Sequence, residues 1–129
     1  MLAEVLDALK KAERGSLELD RMIGYVVGAE CSDDEVLDNV VAMADGSKVV
    51  LLPQWSRSLA TAYGLLDRVF PALDWSVRTD KESGAFVVTV IGPERVHVGT
   101  SQDHVLAILI AVFERLCFLQ DNLCDAMRA

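Results

Sequence analysis

The residues of this chain with chemistry to offer are few: two histidines, three cysteines, two tryptophans and a scatter of arginines. His97 and His104 lie close in sequence, with Asp103 beside the second. Imidazoles and a carboxylate are the groups a small hydrolase or transferase uses to move protons. They could approach each other across Gly99–Asp103, which makes His97, His104 and Asp103 the candidate set for catalysis. A nucleophile or a third metal ligand at a recognisable spacing is missing, so the competing reading is an exposed strand residue and a helix-start residue. Cys31, Cys117 and Cys124 are odd in number and have no CxxC spacing, which suits neither a disulfide framework nor a zinc site. Glycines are scattered with no GxGxxG and no P-loop, so no phosphate cradle and no cofactor is expected.

An aromatic and basic set is more suggestive. Trp55 and Arg57 precede the central helix, Trp75 and Arg78 open a run of strands, and Arg95 lies in a turn. Tryptophan and arginine are the residues most enriched at binding hot spots, and arginine favours bidentate contact with phosphate or carboxylate. Trp55, Arg57, Trp75 and Arg78 are therefore the expected binding residues. The plainer alternative packs Trp75 beneath the central helix and leaves the arginines in water.

These groups must be positioned by the surrounding elements. Leu2, Val5, Leu6 and Leu9 recur at helical spacing and predict a first helix ending near Gly15. Ser16 is placed to cap a second helix with Leu19, Ile23, Val26 and Val27 on its apolar side. Ser32-Asp33-Asp34-Glu35 has the form of a capping box and predicts a third helix over 32–45, with Val36, Leu37, Val40, Val41 and Ala44 inward. Six acids and no base fall between Glu30 and Asp45, and most sit where a helix start wants them. Val49–Leu52 is either a strand or an extended lead-in, closed by Pro53. Leu59, Ala62, Tyr63, Leu66, Val69 and Phe70 then predict a helix that starts at Ser56 or Ser58 and stops at Pro71.

Beyond Pro71 the period changes to two. Trp75–Thr79, Ala85–Ile91 and Val96–Val98 predict three strands joined by short polar turns, an antiparallel meander with Val49–Leu52 as a possible fourth strand. The middle strand is apolar on both faces, which calls for cover on both faces. Thr100 or Ser101 is placed to cap a last helix carrying Val105, Ile108, Leu109, Val112, Phe113 and Leu116. Continued to Met127 it would measure about 40 Å, longer than the roughly 36 Å diameter of a domain this size. Either it breaks near Asp121-Asn122 or its end projects. A projecting end with Cys117, Leu123, Cys124 and Met127 would need a second chain, so a homo-oligomer is expected there.

The fold class expected is α+β, a small antiparallel sheet with helices on both faces in a single domain over 1–129. Just over half the residues are apolar and the net charge is −8. That charge argues against direct nucleic-acid binding and against an anionic membrane surface. The apolar run VLAILIAVF is nine residues long, far short of the roughly 20 needed to span a bilayer. The amino terminus has acids within its apolar pattern and does not have the form of a signal peptide; the odd, unpatterned cysteines lead to the expectation of a reducing cytoplasm.

The order SLELDRMIGYVVG, then LPQWSRSLATAYGLLDRVFPALDWSV, then a hairpin and an Ala/Leu-rich helix resembles a family of small phage and prophage proteins named for its αβα sandwich domain. Ser16, Leu19 and Asp20 match its Ser-x-x-Leu-Asp helix. Pro53, Trp55, Ser56 and Ser58 match its Pro-aromatic-Ser-Ser approach to a helix, and Pro71 to Trp75 its entry into the strands. Trp55 stands where that family usually has Tyr, and the acidic segment 32–45 resembles an insertion. The resemblance implies an accessory protein without an assigned reaction, and carries over no catalytic residue. The expected function is binding of a counter-defence kind: blocking a host protein with a basic surface, or sequestering a small anionic ligand. The alternatives are the histidine-based enzyme and a purely structural homo-oligomeric module.

Overall fold

The computed structural model describes residues 2–30, 40–42, 48–50 and 53–128, excluding the side chains of 27–30, 40–42, 48–50 and 120–128. The elements run α1 (Leu2–Lys11), α2 (Leu17–Glu30), β1 (Val40–Ala42), β2 (Lys48–Val50), α3 (Leu59–Val69), β3 (Asp74–Thr79), β4 (Phe86–Ile91), β5 (Val96–Ser101) and α4 (His104–Arg128). The fold is α+β, and β3, β4 and β5 form the expected antiparallel meander with β4 in the middle. No helix among the described residues is long and apolar enough to cross a membrane.

Helix ends follow from local chemistry. Ser16 Oγ accepts from the Leu19 amide at the start of α2, and Ser58 does the same for Thr61 at the start of α3. The cap of α4 is not Thr100 or Ser101, which belong to β5. It is Asp103, whose carboxylate accepts from the Leu106 amide at 3.1 Å and whose carbonyl accepts from Ala107. In the β3–β4 turn, Gly84 takes φ +75°, a conformation glycine adopts without a Cβ clash.

The predicted helix over 32–45 gives way at its end: Val40–Ala42 is strand, paired antiparallel with Lys48–Val50, Val40 opposite Val50 and Val41 opposite Val49. Paired β-branched residues either side of an Asp-Gly dipeptide favour such a ladder over a helix. The capping-box part of that prediction, 32–39, lies outside the described residues.

The element that the core is built around is α4. From Leu106 to Phe113 every residue is buried, on all sides of the helix. A helix apolar all round must be enclosed all round. One side of α4 lies on β4 and β5, and other sides take α1 and α3. The layers are thus sheet, α4, then the remaining helices. Gly99 sets how closely α4 approaches: a Cβ there would fall 2.1 Å from the Ala107 carbonyl oxygen and 2.5 Å from the Ala111 nitrogen.

Register assigns the faces. Val88 and Val90 of β4, with His97 and Gly99 of β5, point at α4. The opposite face was expected to be covered by helices as well. Among the described residues it is covered only in part: Val87 is 8 % exposed, whereas Ile91, Val96 and Val98 stand there 47, 49 and 47 % exposed. The apolar face of β4 that suggested two-sided cover is real, but α4 needs its own enclosure and takes the helices to its side. The last helix is one unbroken element to Arg128, with no break at Asp121-Asn122.

Candidate functional site

The most enclosed polar cluster ties the start of α2 to the turn before α3. Asp20 is fully buried. Its Oδ1 accepts from the Ser56 amide at 2.8 Å and from the Ser56 hydroxyl at 2.5 Å, and its Oδ2 accepts from Arg57 Nε at 2.8 Å. Ser56 Oγ in turn accepts from the Ser16 amide at 3.0 Å. A buried carboxylate is tolerable only when so satisfied. Gly15 lets the chains touch, since a Cβ at that position would sit 1.7 Å from the Ser56 carbonyl oxygen. Ser16, Asp20 and Ser56, all quoted for the family resemblance, thus meet in one knot. Both carboxylate oxygens and the buried serine are occupied, so the knot is architectural. Trp55 beside it belongs to the hydrophobic core.

A second cluster lies midway along α4, behind His97. His97 is 4 % exposed. Arg115 Nη1 donates to Glu94 Oε2 at 2.7 Å and lies 3.4 Å from His97 Nε2. A guanidinium only donates, so Nε2 is the acceptor and the imidazole proton sits on Nδ1. Burial first, and then the Arg115 and Arg95 charges, hold the His97 pKa below its ordinary 6.5. Arg95 and Arg115 both lie over the Phe118 ring, their guanidinium carbons 5.2 and 5.6 Å from its centroid. Arg115 Nε is buried without a hydrogen-bond partner among the described residues. The Arg115 hydrogen bond, followed by one from its own backbone amide, lowers the Glu94 pKa.

The third cluster is half open. Tyr63 of α3 shares a hydrogen bond with His104 Nε2 at 2.9 Å. Trp75 of β3 packs on the Tyr63 ring at 4.9 Å between centroids, and the His104 ring stacks on Phe86 at 4.6 Å, within 5° of parallel. Trp75 nonetheless remains 38 % exposed. Burial raises the Tyr63 pKa above its ordinary 10, so the phenol stays protonated. On α3, Leu59 and Asp67 lie one turn either side of Tyr63 and both are exposed.

The structure therefore distributes the sequence-predicted residues over several places. Trp55 and Arg57 sit at the polar knot, with Arg57 bonded to Asp20. Trp75 belongs to the aromatic cluster. Arg78 is opposite Val87, on the sheet face turned away from Trp75, which is opposite Val90. The two histidines do not meet: His97 is opposite Val90, whereas His104 stacks on Phe86, about 13 Å back along β4. Asp103 is engaged as a helix cap. Cys117 is half-buried, packed against the core, and the side chains of Leu123, Cys124 and Met127 lie outside the described residues. No group of three metal-ligating side chains occurs among the described residues.

Tyr63, Phe86, Arg115 and Asp20 escaped the sequence reading as partners in these clusters. Arg115 had a signal, a charge inside the apolar stripe of α4. Tyr63 read simply as a core-facing helix residue. No protein-family model, curated protein or solved structure matches this chain.

Proposed function

We propose that this protein acts by binding, with no reaction of its own, and that Trp75 with Tyr63 forms the contact surface. The observation that supports this is a tryptophan 38 % exposed on a ring whose hydroxyl is already tied to His104. Rigid aromatic surface of this kind contributes most where partners dock. The partner we infer is a protein segment bearing Arg or Lys among apolar residues. Exposed aromatic faces attract cations, Asp67 flanks Tyr63, and the net charge of −8 favours encounter with a basic partner. Blocking a host component is the setting that the resemblance to small phage proteins suggests for such binding. Sequestering a small anion finds less support, because Arg57 is spent on Asp20 and Arg78 is on the other sheet face.

The experiment is a fluorescence titration with a short arginine- and leucine-containing peptide, run beside one with ATP. Peptide should shift the emission of the native chain, less so as salt rises, and should leave Trp75→Phe unchanged. An identical response in Trp75→Phe, no response at about 1 mM peptide (the weak end of specific binding), or a response to ATP alone would each reject this reading.

A further inference from the structure

Strand β5 is inside out. Its valines, Val96 and Val98, face solvent at about half exposure, while His97 and Gly99 point into the protein. Ile91, opposite Val96, extends the same exposed apolar surface onto β4. A chain that turns valines out and a histidine in is built for a face that something covers.

The register spells out that face in three rows across the sheet. Asp74, Ile91 and Val96 form one end; Ser76, Thr89 and Val98 the middle; Arg78, Val87 and Thr100 the other end. Asp74 and Arg78, both exposed, are the only charges among these nine positions, at opposite ends of edge strand β3.

We infer that this face packs against the same face of a second copy, about a two-fold axis lying in the interface along the Ser76–Thr89–Val98 row. Such an axis lays each strand over its own counterpart with the ends exchanged. Asp74 then meets Arg78 of the second copy, and Arg78 meets Asp74, while Ile91 falls on the largely buried Val87, Val96 on Thr100 and Val98 on Val98. The other in-plane two-fold axis, parallel to the strands, lays β3 over β5 and sets both charges against Val96 and Thr100 with no counter-ion. Charge complementarity therefore selects the occupant and the axis together, in the self-complementary form that a closed dimer requires. Sheets pack this way at about 10 Å with strands within about 30° of each other.

Six residues by three strands give a face of about 20 by 14 Å. Two such faces cover about 560 Å² in all, short of the roughly 1,000 Å² of a stable specific interface, so the dimer is weak and concentration-dependent. The ion pairs sit at the rim and set register more than affinity. This surface is separate from the Trp75–Tyr63 patch, so either proposal stands or falls without the other.

The test is sedimentation equilibrium of the full chain from about 5 to about 500 µM, the range where an interface of this size dissociates. The native chain should pass from monomer to dimer. Val98→Lys, on the axis, should remain monomeric with its thermal unfolding unchanged. Asp74→Arg and Arg78→Asp should each weaken association about tenfold by opposing like charges, and the double exchange should restore it. A native chain monomeric throughout, a Val98→Lys chain that dimerises as the native does, or a double exchange no stronger than either single change would overturn the inference.

Discussion

Asp20 and Ser56, 36 residues apart, are joined twice through one carboxylate oxygen, which takes both the amide and the hydroxyl of the serine. Arg57 holds the other oxygen. The pairing fixes the start of α2 against the turn that launches α3. Asp20→Asn would keep the volume but turn an amide N–H toward Arg57 Nε, donor against donor, or toward the Ser56 donors if flipped. Loss of about 2 kcal/mol is expected, the cost of leaving buried donors facing donors while half-exposed Arg57 turns to water, and Ser56→Ala should cost about as much. The double variant should lose less than the sum, since the two share one interaction. Urea unfolding with unchanged denaturant dependence measures all three; strict additivity would show that the two residues act independently.

Gly99 is where α4 meets the sheet, with backbone and not side chain as its neighbour. Gly99→Ala must push Ala107 and Ala111 away, and α4 is the element every layer rests on. Destabilisation at or beyond the roughly 3 kcal/mol upper range of overpacking is expected. Gly64→Ala is the control, because a Cβ there meets nothing within 4 Å and its helix would gain intrinsic propensity. Thermal melts of the two variants should move in opposite directions.

Much of this architecture was legible because it is local. Ser16 and Ser58 announce helix starts, Pro71 follows an end, and the period-two segments after it mark the meander. What was not legible depends on tertiary placement. Val40 and Val41 fit a helix face and a strand equally until Val49 and Val50 are brought opposite them. VLAILIAVF is too short for a membrane span, and its apolar residues instead form a helix enclosed on every side. Once α4 takes α1 and α3 for its own cover, the Ile91, Val96 and Val98 side of the meander is left half-exposed among the described residues. Among candidate sites, the spacing of His97 and His104 suggested proximity, but a strand that runs straight and a helix that turns back carry them apart. The partners Tyr63 and Phe86 come from different elements, and nothing in their sequence neighbourhoods joins them.

Tyr63 and His104 offer a test of the aromatic cluster as a rigid unit. Tyr63→Phe keeps both ring contacts and removes only the hydroxyl, so a loss of about 1 kcal/mol is expected, the net worth of one hydrogen bond. Trp75→Ala deletes a half-exposed ring, and should cost less stability than the same change at buried Trp55, where Phe/Trp→Ala typically costs about 3–5 kcal/mol. Equal losses at the two tryptophans would mean that Trp75 serves packing and not an outer surface.

His97 sets the sign of the pH dependence near neutrality. Its folded pKa lies below the ordinary 6.5, by burial and by the charges of Arg115 and Arg95. Between that folded value and about 6.5 the unfolded chain takes up a proton that the folded chain refuses. Stability is therefore whole above about pH 6.5 and declines as the medium is acidified below it, because the unfolded state there binds more protons. Glu94, lowered by Arg115, acts in the same direction in a separate window below its ordinary 4.5, its contribution fading as pH falls through the folded value. His97→Gln keeps an acceptor for Arg115 but cannot titrate. The difference in melting temperature between the native chain and His97→Gln should be constant above pH 7 and should shift against the native chain from about pH 6.5 to 5, a window set by the imidazole. Changes in overall charge repulsion are nearly common to both chains and largely cancel in that difference. A difference flat across the range would show that the imidazole behind Arg115 takes its proton as readily in the folded chain as in the unfolded one.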